Sequence, residues 1–323
     1  MNDSLIGFLD QNNIFYEIDV DLKSRTWIHR GGMANIFISP KDSNELEKLV
    51  VFLYKNDISF LLIGHTSNIY ILNECNIPVV VSTSKCRYFS LDDGRLYCES
   101  GVGVINLSKQ MIQSGIRGFE YLTGLPGTVG AALVNNSSCR TNSISELLIS
   151  ARVVLRDGSV RTFTRDDFKY EFRSSAFKHK TIEGTIVSAN LMALPGDIVS
   201  MQRIATDNDM ERNRLLDGNS KNLGCTVNSC FINGKMPFHL RIALRLFSLL
   251  TKVFIHFEIE RQDYCKRFIC TISGYKEIIP YVSSKNIIVF RWLDEGADAV
   301  FPLYLEFMKK VYMTDKIEIE IIK

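Results

Sequence analysis

Residues Phe119–Asn136 read FEYLTGLPGTVGAALVNN, with Gly124, Gly127 and Gly130 spaced by three and Pro126 and Thr128 between them. This is not the G-x-G-x-x-G turn of a dinucleotide-binding strand–helix unit. Glycine is needed where φ is positive, or where a backbone must come so close to something that a Cβ would block it. A second glycine-led loop, GHTSN, spans Gly64 to Asn68. Two such loops predict a pair of backbone segments approaching one ligand, with N–H groups available to phosphate oxygens. Ser67, Asn68 and Thr128 add side-chain donors. The plain alternative is a pair of tight turns packed closely together.

Working outward, the chain before these loops reads as a strand–helix–strand unit. WIHRGGMANIFISP ends in an apolar run. In KDSNELEKLVVFLYKNDI, Asp42 or Ser43 can cap a helix whose apolar face holds Leu46, Leu49, Val50 and Leu53. SFLLIG then reads as a buried strand. Short strands follow, IPVVVST, YFSL and RLYCESG, and SARVVLRDGSVRTFT carries a hairpin turn at Asp157-Gly158. VINLSKQMIQSGI is a helix and GTIVSANLMAL another strand. A charged helix, SMQRIATDNDMERNRLL, leads to a third region from near Gly218, with AVFPLYLEFMKKVYM as a further helix and KIEIEIIK as a closing strand.

Composition narrows the function. A chain of 323 residues has room for two or three domains. A net charge of +2 supplies no basic stripe for nucleic acid. The first residues lack a charged-then-apolar leader, so a cytoplasmic, reducing location is expected. Eight cysteines, spaced as in Cys225-x4-Cys230 and Cys265-x4-Cys270, are not zinc pairs, and no metal site is expected. MPFHLRIALRLFSLLTKVFIHF is apolar but carries Arg241, Arg245 and Lys252, too costly for a spanning helix. Leu240, Leu244, Phe247 and Leu250 follow a helical period, so a helix packed on a domain core is expected, an interfacial membrane helix is the alternative, and membrane contact is not anticipated.

The order of these segments resembles the UDP-N-acetylenolpyruvoylglucosamine reductases, flavoenzymes of cell-wall precursor synthesis. That family has a Gly-Gly-x-Ala-Asp start, a Gly-x-Gly-Ser-Asn loop and a Gly-Ile-Pro-Gly-[Ser/Thr]-Val-Gly loop. The counterparts here are Gly31 to Asn35, Gly64 to Asn68 and Gly124 to Gly130. FKYEFRSSAFKHK, the GTIVSANLMAL strand, NLGCTVNSC and KIEIEIIK resemble later family segments in the same order. The resemblance implies an α+β chain: a two-subdomain FAD-binding fold of the vanillyl-alcohol oxidase type, with FAD-binding subdomains at 1–80 and 81–200. It further implies a terminal strand (311–323) joining the second subdomain, and an α+β substrate domain at 201–310.

It also implies a chemistry. FAD is the cofactor and NADPH the hydride donor, acting on a small nucleotide-sugar substrate. The enolpyruvyl ether of a UDP-amino sugar becomes a lactyl ether, for cell wall or surface polysaccharide. Such a reduction needs a cation at the substrate carboxylate and one proton donor. By matching, Arg173 holds the carboxylate, Cys225 stands where the family has its proton-donating serine, and Glu320 assists charge stabilisation. A thiol is the stronger acid of the two and preserves the role. The matched cofactor contacts are Gly64, His65, Thr66, Ser67, Asn68, Thr123, Gly124, Gly127, Thr128, Gly130 and Ile186.

The sequence also departs from the pattern. Asn228 replaces the family's diphosphate-associated lysine, with Arg212, Arg214, Lys221 and Lys235 as possible substitutes. After the glycine ladder of Gly124, Gly127 and Gly130, Asn136-Ser137-Ser138-Cys139-Arg140-Thr141 keeps only the asparagine, Phe172 replaces a tyrosine, and Asn286 a histidine. His65 occupies a loop in which other branches of the fold bond a histidine to flavin, whereas these reductases hold FAD non-covalently. Two other functions stay open: an FAD-dependent oxidase or dehydrogenase of the vanillyl-alcohol oxidase type acting on an alcohol or hydroxy acid, and a non-catalytic FAD-binding protein.

Overall fold

The computed structural model describes residues 2–139, 142–218, 220–227, 236–254 and 258–323. They form two compact units: residues 1–66 with 73–210, and residues 67–72 with 211–323.

In the first unit, helices α1 (Asn2–Gln11) and α2 (Ser43–Lys55) pack on a four-stranded sheet ordered Tyr16–Asp21, Met33–Ile38, Asn76–Ser82, Leu61–Ile63. The last three strands are mutually parallel and α2 makes the crossover, as a strand–helix–strand reading requires. Asp42 is the cap of α2: its carboxylate accepts from the Glu45 N–H at 2.9 Å. Ser43 instead places its hydroxyl 2.9 Å from Tyr97 OH. Leu46, Leu49, Val50 and Leu53 are fully buried, each contributing about 1.5–3 kcal/mol relative to exposure.

The second sheet of this unit is antiparallel, ordered Val160–Thr164, Leu148–Leu155, Gly184–Met192, Arg95–Glu99, Phe89–Asp92. Its two faces alternate with period 2 on either side of a register shift between Arg152 and Val153, where the Gly184–Met192 strand carries one extra residue. Val154 and Val187 join the α1–α2 core, while Val153, Ile186 and Ala189 join a second core under α3 (Val104–Gln113) and α4 (Val129–Asn135). Both sheets share one compact unit, the first built from strands within residues 16–82 and the second from strands within residues 89–192. The hairpin falls at Gly158, with φ of +79°. Helix α5 (Ile198–Leu215) crosses the boundary between the units.

The second unit holds α6 (Phe238–Phe254), α7 (Glu258–Ile272) and α8 (Gly296–Val311). Phe247 of α6 stacks on Phe268 of α7 with centroids 4.0 Å apart. Tyr70, Phe290, Trp292, Phe301 and Tyr304 form an aromatic cluster at one side of α8. The closing strand is short, Glu320–Ile322, and runs parallel to Ile69–Ile71. Its partner is thus the strand that follows the GHTSN loop, not the 81–200 sheet that the sequence reading gave it.

Candidate active site

Three backbone segments meet in the first unit. The ladder runs antiparallel to Ser100–Val104: Val104 N–H donates to Gly127 O (3.1 Å), Val129 N–H to Val102 O (2.8 Å) and Gly130 N–H to Ser100 O (2.9 Å). Gly124 and Gly127 have φ of +68° and +116°, which an L side chain resists. At the third segment the contacts are closer than any Cβ tolerates. A Cβ on Gly64 would lie 2.6 Å from Thr128 Oγ1, one on Gly103 2.9 Å from His65 Cε1, and one on Gly130 2.9 Å from Ser100 Cβ. The glycines therefore seam together loops 64–66, 100–104 and 124–130.

Sequence reading singled out the first and last of these loops and missed the middle one. Its signal was present in ESGVGV, residues 99–104, where Gly101 and Gly103 alternate at the end of a strand. Gly101 is structural, because a Cβ there would meet Thr83 O at 1.8 Å. The Ser100 hydroxyl is buried with no hydrogen-bond partner, a costly state that a polar ligand would relieve.

The other cofactor candidates divide by what already occupies their side chains. Thr66, at φ +54°, donates its hydroxyl to His65 O and accepts from Trp27 N–H, both at 2.8 Å, so that side chain holds the loop's shape. Thr123 donates to Glu120 O at 3.1 Å. Partial burial and the Arg87 charge lower the His65 pKa below the ordinary histidine value, keeping the ring neutral at pH 7. Ile186 lies in the core beneath the second sheet. A cavity of about 560 Å³ is lined by Tyr54, Phe60, Val134, Phe177, Gly184 and Thr185, none of which belongs to the three glycine loops. A glycine-seamed junction and an orphaned buried hydroxyl fit a large phosphate-bearing cofactor.

Arg173 is held in a strained conformation, with φ of +55°. Lys178 Nζ donates to Arg173 O (3.1 Å), Asn136 Nδ2 to Glu171 O (2.9 Å) and Ser175 Oγ to Val134 O (2.6 Å). The segment is thereby tied to the end of α4, the helix that the ladder opens. The guanidinium lies 6.0 Å from the Phe172 ring centroid. Nearby, the buried Tyr170 hydroxyl and Asn136 Oδ1 have no partner.

Cys225 and Glu320 belong to the second unit, together with Ser67 and Asn68. Cys225 is half-buried and follows Gly224, whose φ is +75°. Next to it, Thr226 N–H donates to Ile288 O (2.8 Å) and Thr226 O accepts from Glu318 N–H (2.9 Å). Glu320 N–H donates to Asn68 O (2.9 Å), and Asn68 Nδ2 to Glu318 O (3.2 Å). The last residue of the GHTSN loop and the C-terminal glutamate are therefore direct neighbours, a pairing that no local pattern announces. Asn228, Lys235, Arg140 and Thr141 lie outside the described residues. Among the described residues no cluster of histidine, cysteine or carboxylate side chains has metal-site geometry.

Residues 34–164 match a family model described as FAD binding domain. The chain is 30% identical over 208 residues to UDP-N-acetylenolpyruvoylglucosamine reductase of Streptococcus mutans, covering 63% of this chain and 65% of that one. It is 27% identical to the Enterococcus faecalis reductase of the same name, covering 51% and 55%.

The matched segment is similar to these reductases.

The matched part spans less than two thirds of these relatives' length. The solved structure of UDP-N-acetylenolpyruvylglucosamine reductase from Thermus caldophilus shares the fold, with a TM-score of 0.65 at 17% identity over 96% of this chain and 99% of that one. The fold is thus α+β with an FAD-binding domain of the vanillyl-alcohol oxidase type, as the resemblance implied.

Proposed function

We propose that the chain is a flavin-dependent oxidoreductase that uses NADPH to reduce the enolpyruvyl ether of a UDP-amino sugar to a lactyl ether, in cell-wall or surface-polysaccharide precursor synthesis. The observation that carries this reading is the glycine-seamed junction of loops 64–66, 100–104 and 124–130, inside the stretch matching an FAD-binding domain. FAD, when bound, would supply hydride-transfer chemistry, with NADPH as the source of reducing equivalents. Gly64, Gly103 and Gly130 let the three loops close on one another, Gly124 and Gly127 supply the positive φ of the third loop, and Ser100 and Thr128 would present hydroxyls to the cofactor. His65, neutral at pH 7, borders the site without adding charge.

The chain's own residues then manage charge and one proton. Hydride addition to one alkene carbon pushes negative charge toward the substrate carboxylate. Arg173 holds that carboxylate with a permanently charged, forked donor set. Cys225 gives its thiol proton to the other alkene carbon and regains a proton from water. Glu320 assists charge stabilisation at the same carboxyl. The sum is addition of one hydride and one proton per NADPH oxidised.

The test is anaerobic. The purified protein is reduced with NADPH and UDP-N-acetylglucosamine enolpyruvate is added while the flavin absorbance is followed. Recovery of the oxidised band on mixing is expected. No bound flavin, or no reduction by NADPH, overturns the reading, and reduction without recovery overturns this acceptor.

A further inference from the structure

Helix α6 carries two apolar faces. One holds Leu240, Leu244 and Phe247 and packs toward α7, where Phe247 stacks on Phe268. At about 100° per residue the other face spans about 120° of the helix and holds Phe238, Ile242, Leu246, Leu249 and Leu250. These five large side chains are between 42% and 69% exposed. Leu250, which the sequence pattern assigned to the packed face, lies on the outer one, and Thr251 is the buried neighbour.

Along one flank of that face, within about 60° of Phe238, run Arg241, Arg245 and Lys252. Arg241 sits 5.8 Å from the Phe238 ring centroid, so cation and apolar stripe form one surface. No aspartate or glutamate occurs in Phe238–Phe254. Among the described side chains His239 is the one polar interruption of the stripe. An outward face of Phe, Ile and Leu edged by cations and free of acids is complementary to an apolar layer bordered by phosphate. A second copy of the chain is disfavoured as the occupant, because stripe-to-stripe packing would bring the same cations together without counter-charges. Among the described residues no helix is long and apolar enough to cross a membrane.

We propose that the outer face of α6 docks the protein on an anionic lipid bilayer, lying in the interface with Phe238, Ile242, Leu246, Leu249 and Leu250 among acyl chains and Arg241, Arg245 and Lys252 at headgroup phosphates.

Co-sedimentation of the full chain with vesicles tests this without reference to catalysis. Binding is expected to phosphatidylcholine vesicles containing about one third phosphatidylglycerol, and much less to pure phosphatidylcholine. The Leu246→Glu, Leu249→Glu double variant should lose binding while keeping its thermal midpoint and far-UV circular dichroism. The Arg241→Glu, Arg245→Glu variant should bind the anionic vesicles about tenfold more weakly or worse. Absence of binding to anionic vesicles overturns the proposal, as does binding that survives both variants. Self-association that the leucine variant abolishes, without vesicle binding, would instead assign the face to a second copy.

Discussion

Individual glycines in this chain do two different jobs, and the atoms that a Cβ would meet tell them apart. At Gly32 the obstacle is backbone, Cys75 O at 1.8 Å, in the join between two parallel strands. At Gly64 it is the Thr128 hydroxyl at 2.6 Å, and at Gly103 the edge of the His65 ring. Gly32→Ala should therefore unfold the first unit or cost more than about 4 kcal/mol, read by urea titration. Gly64→Ala should cost much less, because a side chain can turn aside, yet lower the flavin retained after gel filtration. Equal stability losses in the two variants would count against this division. At Cys225 the proposed proton transfer separates two substitutions. Cys225→Ser keeps a weaker acid in place and should retain part of the turnover. Cys225→Ala should lose about 10²–10⁴-fold in kcat with flavin content unchanged. The glycine pattern was readable because close backbone approach admits one residue type. Ser100 was not readable, since an isolated serine signals nothing until burial removes its water.

Elements follow the same logic one level up. Helix α2 was legible from its apolar spacing, but the sequence left its cap open between Asp42 and Ser43. Three-dimensional context decided it, because Tyr97 claims the Ser43 hydroxyl from a distant strand while Asp42 faces the Glu45 N–H. Asp42→Ala should lower the unfolding free energy by about 1 kcal/mol, and Asp42→Asn should restore most of it. An unchanged urea midpoint in Asp42→Ala would remove the cap from the account. The closing strand shows the opposite limit. Its alternating residues announce a strand, but alternation says nothing about a partner some 250 positions away, and pairing with Ile69–Ile71 emerges only in the fold. Helix α6 lay between these cases: periodicity found the helix, and only burial shows which of its two apolar faces is covered.

At the scale of the whole chain, four of the six cysteines whose side chains are described, Cys75, Cys86, Cys98 and Cys270, are packed away from water, and buried thiols make stability depend on alkaline pH. Burial pushes the thiols of Cys86 and Cys98 far above their ordinary value of 9.0, and that of Cys270 up to about 12. The phenols of Tyr170, Tyr304 and Tyr312 are raised by burial as well. Above pH 9 the unfolded chain releases thiol protons that the folded one keeps, so the folded state binds more protons and stability falls with rising pH. That contribution is complete below pH 9 and is lost progressively above it. Lys266 opposes the trend. Burial lowers its pKa to about 8 although its ammonium donates to Ser283 O at 3.1 Å. Between pH 8 and the ordinary lysine value of 10.5 the unfolded chain binds the extra proton at this site, so this one group makes stability rise. Three thiols and three phenols outweigh one lysine. In reducing buffer the thermal midpoint should hold or rise slightly from pH 8 to 9 and then drop steeply toward pH 10.5. Lys266→Met should abolish the early rise and leave the later drop in place. A midpoint flat to pH 10.5 in the parent would mean that these thiols and phenols reach water in the folded protein, and the buried positions assigned to them would have to be given up.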